Sequence, residues 1–370
     1  MTSRRIVLAG GGTAGHIEPM LAVAEALRIR DPGGSLTCIG TARGLEVDLV
    51  PARGFELRLI PPVPLPRRPT LDLLRVPDRL IVSVRSAAEL LRVTRAEVLV
   101  GFGGYVALPA YLAARRARVP IVVHEQNAVP GLANRIGARF AVVVAVTFPG
   151  TPLRGAQLVG MPLRPEIAGL DRQSLQQRGR AHFGLDPDRP TLLVFGGSQG
   201  ARTLNTAVGV AVDALLDRGI QILHAMGPKN VSQPQPTTAS QPTTPYVAVP
   251  YIERMDLAYA ASDLALCRAG AVTCAELSAV GLPAVFVPLP IGNGEQRHNA
   301  EPVVAAGGGL LVEDAELTAD YLLDTVAPLL LDQSRLIAMA QATARLGHRD
   351  AGPRMAELVL SAADDGGPVR

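Results

Sequence analysis

The chain has 370 residues, of which 48% are hydrophobic and 19% charged, with 37 Gly, 31 Pro, three Cys and no Trp. That much apolar material fills a sizeable core, which excludes a disordered protein, and the glycines follow no triplet period, which excludes collagen. The net charge of +3 divides unevenly: residues 1–163 carry 20 Arg against 11 acids, a net +9, while residues 164–370 carry 16 cations against 22 acids, a net −6.

Taken in order, apolar runs of strand length alternate with segments of helical period. Arg5–Ala9 is a predicted strand and His16–Ile29 a predicted helix, with Ile17, Met20, Leu21, Ala24 and Leu27 on one face. Leu36–Ile39, Val98–Val100, Ile121–Val123 and Val142–Val146 are further predicted strands. Between them, Pro61–Arg95 begins Pro-rich and then mixes leucines with seven Arg, the mark of a basic, amphipathic stretch lying on a surface. After Pro190 the pattern restarts. Thr191–Phe195 is a strand, and Leu204, Ala207, Val208, Ala211 and Leu215 mark a helix face. Ile220–Ala225, Leu264–Cys267 and Ala284–Pro288 follow as strands. Pro228–Tyr246, rich in Pro, Thr, Gln and Ser, is a predicted surface loop. Continuous apolar strands alternating with helices predict parallel sheets covered on both faces. The fold class is therefore α/β, with two Rossmann-like domains whose parallel sheets face a cleft. Their boundary falls near Gly160–Pro165, giving domains 1–162 and 163–349. A substrate is expected at the carboxyl ends of the strands.

Cys38, Cys267 and Cys274 have no CxxC spacing, so neither a disulfide scaffold nor a zinc site is expected, and a reducing cytosol is the natural compartment. No apolar run reaches the roughly 18 residues of a membrane span, and Ile6–Ala9 is too short for a secretory signal. A basic half attracts nucleic acid, anionic lipid or a phosphorylated substrate. Nucleic acid is disfavoured: no reading motif is present and aromatics for stacking are few.

Four glycine-bearing loops follow predicted strands: Gly10–Gly15, Gly101–Tyr105, Gly196–Gly200 and Arg268–Thr273. Glycine lets a backbone turn tightly and approach a phosphate, and a helix N-terminus adds free N–H groups. Each loop taken singly is an ordinary strand-to-helix turn. Four of them, two in each half, point to phosphate or sugar recognition. The first fits the dinucleotide pattern G-x-G-x-x-G, but the second strand ends Gly40-Thr41-Ala42 with no acid for a ribose until Glu46. NAD is therefore disfavoured. Asp186-Pro187-Asp188 has the spacing of a metal-binding Asp-x-Asp, but it straddles a proline before a strand and is expected to be a surface turn.

Gly11–Pro19 and Gly40–Glu46 resemble the amino-terminal motifs of the MurG family, and Gly101–Val106, His124–Asn127, Gly196–Arg202 and Arg268–Pro283 are similar to the same family in the same order. The resemblance implies the two-domain GT-B glycosyltransferase fold. It implies an inverting transfer of N-acetylglucosamine from UDP to the 4-hydroxyl of the N-acetylmuramyl group of undecaprenyl-diphosphate-linked muramyl-pentapeptide. It places that step in peptidoglycan synthesis, and so in cell shape and division, with no cofactor and no metal. It implies a peripheral site on the cytoplasmic face of the cell membrane, an anionic inner-leaflet surface as partner, and contacts with cell-wall and division proteins. A C-terminal helix at about 350–364 is expected to pack back on the first domain.

The same resemblance assigns residues. For the UDP-sugar it implies Thr13, Ala14, Gly15, Asn127, Arg164, Ser198, Ile252, Ala271, Val272, Thr273, Cys274, Ala275, Glu276 and Gln296. Glu276 is assigned to the ribose, Ile252 to the uracil, Ser198 and Arg164 to the diphosphate, and Gln296 to the sugar. Gly103, Gly104 and Tyr105 are assigned to the acceptor. His16 and Glu125 are the candidate bases, each with an alternative: His16 as a loop cap or phosphate contact, Glu125 as a structural group at a strand end. The family's loop usually has Gly where this chain has Ala14, a change that is harmless only if φ is negative there. A UDP-N-acetylglucosamine epimerase is the competing enzyme class, separable because it turns over donor alone.

Overall fold

A computed structural model describes residues 3–42, 44–63, 76–230, 244–291 and 293–365. Arg67, Arg68 and Arg75 of the basic stretch, and most of the polar segment before Tyr246, lie outside the described residues. The chain forms two compact units. Met1–Arg164 with Arg349–Arg370 makes the first, and Pro165–His348 the second.

The first unit holds strands β1 (Arg5–Ala9), β2 (Ser35–Gly40), β3 (Glu56–Leu59), β4 (Val98–Gly101), β5 (Ile121–Glu125), β6 (Val143–Val146) and β7 (Ala156–Leu158). They pair in the order β3-β2-β1-β4-β5-β6-β7, every pair parallel. Helices α1 (Ala14–Arg30), α2 (Glu46–Ala52), α3 (Val76–Val93), α4 (Gly104–Ala117) and α5 (Leu132–Gly137) connect them. β1, β4 and β5 are almost wholly buried, as continuous apolar runs demand. The edge strands β3 and β7 are short, mostly exposed and broken by polar residues, so no apolar run announces them. The α1 face formed by Ile17, Met20, Leu21, Ala24 and Leu27 is fully buried, and the helix begins at Ala14 rather than at His16. Ala14 is thus helical, and among the described residues only Arg95 and Arg118 are non-glycines with positive φ. Its methyl group costs the loop nothing. The final helix, Ala351–Asp365, packs along α1, and its Met355, Ala356 and Val359 are fully buried in this unit's core.

The second unit holds β8 (Thr191–Phe195), β9 (Gln221–Ala225), β10 (Tyr246–Val249), β11 (Leu264–Cys267), β12 (Ala284–Phe286) and β13 (Gly309–Leu311), again parallel, in the order β10-β9-β8-β11-β12-β13. Its helices include α6 (Pro165–Ala168), α7 (Arg172–Phe183), α8 (Arg202–Asp217), α9 (Met255–Ala261), α10 (Ala271–Val280) and α11 (Glu295–Ala305). Leu204, Val208, Ala211 and Leu215 of α8 meet the predicted face and pack on β8, β9 and β11. Each fully buried Leu or Val among them contributes roughly 1.5–3 kcal/mol.

Strand order reverses between β1 and β4 in the first sheet, and between β8 and β11 in the second. Ligands of open α/β sheets bind at such reversals, outside the carboxyl ends of the strands. The four glycine loops of the sequence are the four loops at these two places.

Candidate active site

In the first unit, the loop after β1 climbs through Gly10, Gly11 and Gly12 into α1. Gly12 has φ +91°, open only to glycine at low cost. The neighbouring loop after β4 lies against it: a Cβ on Gly104 would stand 2.7 Å from the Gly11 carbonyl oxygen, and the Phe102 N–H donates to Ala9 O at 2.8 Å. A Cβ on Gly103 would press on two side chains at once, Asn134 Nδ2 at 3.2 Å and His16 Nε2 at 3.4 Å. Gly103 therefore keeps open a space bounded by His16 and Asn134. Tyr105, next in line, is 48% exposed.

His16 sits in the first turn of α1, and its Nδ1 lies 3.0 Å from the Thr13 hydroxyl. If Thr13 Oγ accepts from Nδ1–H, the Nε2 lone pair is left free for a substrate proton. Burial lowers the His16 pKa to about 4, against the opposing pull of the Glu46 charge. The imidazole is therefore neutral at pH 7.

Glu125, at the end of β5, is buried and ties down the loop that follows. Its Oε1 accepts from Asn127 N–H at 2.9 Å, and its Oε2 accepts from Gly131 N–H and Asn134 Nδ2, both at 3.0 Å. Burial raises its pKa, and these bonds, including one from the Asn127 side chain, pull it back. With both oxygens bound to its own loop, Glu125 has the geometry of a clasp. Asn134 passes the constraint on: its Nδ2 also donates to His124 O, and its Oδ1 accepts from Tyr111 OH at 2.7 Å. The Tyr111 ring fills the space that a side chain on Gly101 or Gly137 would need. His124 is buried, its Nε2 2.9 Å from Gly160 O. A carbonyl only accepts, so Nε2 carries the proton. Burial holds the ring neutral, with a pKa of about 4.

In the second unit, the loop after β8 packs on the loop after β9. Gly200 (φ +73°) and Gly227 (φ +94°) leave no room for a Cβ against Met226 O and Gln199 O respectively. Asn205 of α8 donates to Met226 O at 2.9 Å and meets His224 Nε2 at 3.0 Å, and His224 Nδ1 lies 3.1 Å from Tyr246 OH. Ser198 is exposed at the tip of its loop. After β11, the Arg268 side chain donates to Val287 O at 3.1 Å and pairs with Asp314 at 2.5 Å, and Asp314 accepts from Thr203 at the start of α8. That chain joins the ends of β11, β12 and β13 to the helix below the Ser198 loop. The segment Ala271–Glu276 forms the first half of α10. Glu276 is 7% exposed, and its Oε2 accepts from Tyr259 OH at 2.7 Å. Asn299 of α11 donates to Ala269 O at 3.3 Å, and Gln296 Oε1 accepts from Leu289 N–H at 3.0 Å. Ile252 is buried in the segment after β10.

Each unit thus gathers its own set. His16, Thr13–Gly15, Gly103–Tyr105, Glu125 and Asn127 stand at one end of the first sheet, and Ser198, Ile252, Ala271–Glu276 and Gln296 at one end of the second. Arg164 is the last residue of the first unit before the chain leaves it. Asp186 lies at the opposite end of its sheet, ahead of β8. It accepts from the Asp188 N–H at 2.8 Å and pairs with Arg189, as a surface turn does. A cavity of about 490 Å³ lined by Arg172, Arg180, Asp188 and Asp263 lies at that end too, where Arg172 and Arg180 spend their N–H groups on main-chain carbonyls and Asp263. The sequence reading gave no role to Glu46, Asn134, Tyr111, Asn205, His224 or the Arg268–Asp314 pair.

Two family descriptions match the chain: the glycosyltransferase family 28 N-terminal domain over residues 6–146, and the glycosyltransferase family 28 C-terminal domain over residues 191–355. A UDP-N-acetylglucosamine–N-acetylmuramyl-(pentapeptide) pyrophosphoryl-undecaprenol N-acetylglucosamine transferase of a Nocardioides species is 60% identical, over 96% of this chain and 97% of its own. The protein of the same description from Streptomyces avermitilis is 59% identical, over 96% and 98%. Among solved structures, the MurG crystal structure from Acinetobacter baumannii superposes with a TM-score of 0.79 at 28% identity, covering 97% of this chain and 100% of that one.

Proposed function

The chain belongs to glycosyltransferase family 28, and from that premise we propose the reaction it performs. It transfers N-acetylglucosamine from UDP to the N-acetylmuramyl-pentapeptide carried on undecaprenyl diphosphate. The observation that carries this is identity of 55–60% to relatives so described, across nearly the whole chain.

The chemistry follows from the two loop sets. The second unit takes the donor. Main-chain N–H groups at the starts of α8 and α10 meet the diphosphate, Ser198 and Arg164 add polar contacts, Glu276 accepts from the ribose hydroxyls, the Ile252 main chain meets the uracil, and Gln296 meets the sugar. The first unit takes the acceptor, with Gly103–Tyr105 and the Thr13–His16 loop toward its diphosphate and Asn127 toward the transferred sugar. The acceptor's 4-hydroxyl oxygen attacks the anomeric carbon, the bond to the UDP oxygen breaks, and the configuration inverts. His16 Nε2 takes the hydroxyl proton, and the departing diphosphate carries the electron pair onto amide donors and Arg164. An anionic acceptor near His16 favours the imidazolium, which opposes the lowering that burial imposes on its pKa. Glu125 orders the loop that carries Asn127.

The lipid acceptor calls for a membrane surface. No described helix is long and apolar enough to cross one. The first unit holds the positive charge of the chain, and α3 exposes Ile81 and Val82, each 50% accessible, on a helix that also carries Arg79, Arg85 and Arg92. Leu132 is exposed on the helix of Arg135, which with Arg139 and Arg154 lines a cavity of about 740 Å³. Apolar side chains among arginines suit an anionic inner leaflet. Cell-wall and division proteins are partners on this reading.

The test is transfer of labelled N-acetylglucosamine from UDP to purified lipid acceptor, with and without chelator, beside a reaction holding donor alone. Transfer only with acceptor supports the reading; turnover of donor alone replaces it with an epimerase.

A further inference from the structure

Glu46 begins α2, and its side chain is fully buried at the carboxyl end of the first sheet. A buried carboxylate is costly unless hydrogen bonds replace its water. Three do so. Oε2 accepts from Gly12 N–H at 3.0 Å, and Oε1 accepts from Thr41 N–H at 2.8 Å and from the Thr41 hydroxyl at 3.0 Å. The chain around it is cut to fit. A Cβ on Gly11 would lie 2.7 Å from Oε1, one on Gly40 would lie 2.5 Å from Cγ, and one on Gly44 would overlap the carboxyl group. None of these three glycines has a positive φ. They are glycine for lack of room, and the Glu46 side chain takes that room.

What Glu46 holds is the loop that leads into His16. Gly12 is one residue before Thr13, the hydroxyl partner of His16, and Gly11 O is the point on which Gly104 rests. The Glu46 charge also reaches the imidazole. The donors dictate the chemistry of the side chain. Two main-chain N–H groups on different oxygens need an acceptor at both, which a carboxylate supplies. Glutamine would set its own NH₂ against one of them.

We propose that Glu46 is a positioning residue for glycosyl transfer, its buried carboxylate locking the Gly10–Gly15 loop to Thr41 so that His16 is held toward the acceptor. This rests on the transferase reading above.

The experiment uses the full chain, comparing wild type with Glu46→Gln and Thr41→Val. It measures kcat, KM for lipid acceptor, UDP affinity by calorimetry, and amide hydrogen exchange over residues 10–16. UDP binding reports the second unit and Arg164 rather than the Gly10–Gly15 loop, so a fold-wide defect would move it. We expect Glu46→Gln to bind UDP as wild type does, to speed exchange at Gly12, and to lose about 10- to 100-fold in kcat, the worth of one hydrogen bond to a charged group. Thr41→Val should show a smaller loss in the same direction. A folded Glu46→Gln protein with kcat within about twofold of wild type overturns the proposal, as does a loss of UDP affinity in step with kcat. Should Glu46→Gln fail to fold, Thr41→Val decides alone: lower kcat with unchanged UDP affinity supports the lock, and unchanged kcat removes it. Wild-type protein that moves no sugar to the acceptor defeats the transferase reading instead, and the exchange measurement still tests the lock.

Discussion

The two strand-to-helix glycine loops, Gly10–Gly15 and Gly196–Gly200, are the same device built on different supports. Behind the first stands a carboxylate, with Glu46 accepting from Gly12 N–H at 3.0 Å. The second rests directly on neutral groups, the Met226 and Gln199 carbonyls, the Asn205 amide and the neutral His224 ring, and the nearest acid, Asp314, is paired with Arg268 and meets the start of α8 at Thr203. Net charge runs the other way, since the loop with the acid behind it belongs to the basic half of the chain. The lesson is that a whole-domain charge steers encounter over a Debye length, whereas what a loop accepts is decided within a few ångströms. A loop backed by neutral dipoles is free to take a diphosphate. A loop backed by a negative charge, with its Gly12 amide already engaged, is better suited to aim a side chain.

The contrast breaks most visibly at His16. His16→Ala should lower kcat by about 10²- to 10⁴-fold, the range for a lost general base, with UDP affinity unchanged. Steady-state transfer beside calorimetric UDP binding checks it, and full activity would leave His16 a loop cap. Glu276→Ala should do the reverse. UDP affinity falls about 10- to 100-fold, the worth of hydrogen bonds to a carboxylate, while amide exchange in the first unit does not change. Unaltered affinity would remove Glu276 from the donor site.

The neutral support of the second loop has a pH signature. Burial lowers the His224 pKa to about 4, so the ring stays uncharged in the fold while the unfolded chain takes up a proton from about pH 6.5 downward. Its contribution is complete above that value and is lost as pH falls toward 4, at most ~3 kcal/mol. Burial raises the Glu125 and Asp263 carboxyl pKa values, which acts in the opposite sense in acid. The His224→Gln difference isolates the imidazole: between pH 7 and 4.5, urea-unfolding midpoints should fall less in the variant than in wild type. Parallel curves would show that His224 does not titrate against folding. The smallest effect belongs to Asp188→Ala, at the far end of the second sheet. It should leave kcat unchanged and stability within about 0.5 kcal/mol, as surface turns do; a large loss of transfer would revive the Asp-Pro-Asp motif as a functional site.

Much of this was legible in the letters, and the gaps have physical causes. Central strands such as Thr191–Phe195 are buried on both faces and must be apolar throughout, so a run of hydrophobic residues finds them. Edge strands such as Glu56–Leu59 meet water and leave no such run. The glycine loops were legible because tight turns leave few other residues possible. Their supports were not. Glu46 and Gly12 are 34 residues apart and meet only because β1 and β2 pair in register. Asn134 reaches back to Glu125, and Arg268 forward to Asp314, through contacts that no local spacing encodes. Glu125 was visible as an acid at a strand end, but its hydrogen bonds to Asn127, Gly131 and Asn134, which fit it to a clasp, required the fold.

The final helix gives the two halves different histories during synthesis. The second unit is a continuous segment and has every part of its core once His348 has left the ribosome. The first unit, though begun earlier, still lacks Met355, Ala356 and Val359, which cover α1. The half made first is completed last, and it waits with an apolar stripe uncovered. Removing Ala351–Asp365 should therefore be felt as instability in the amino-terminal unit.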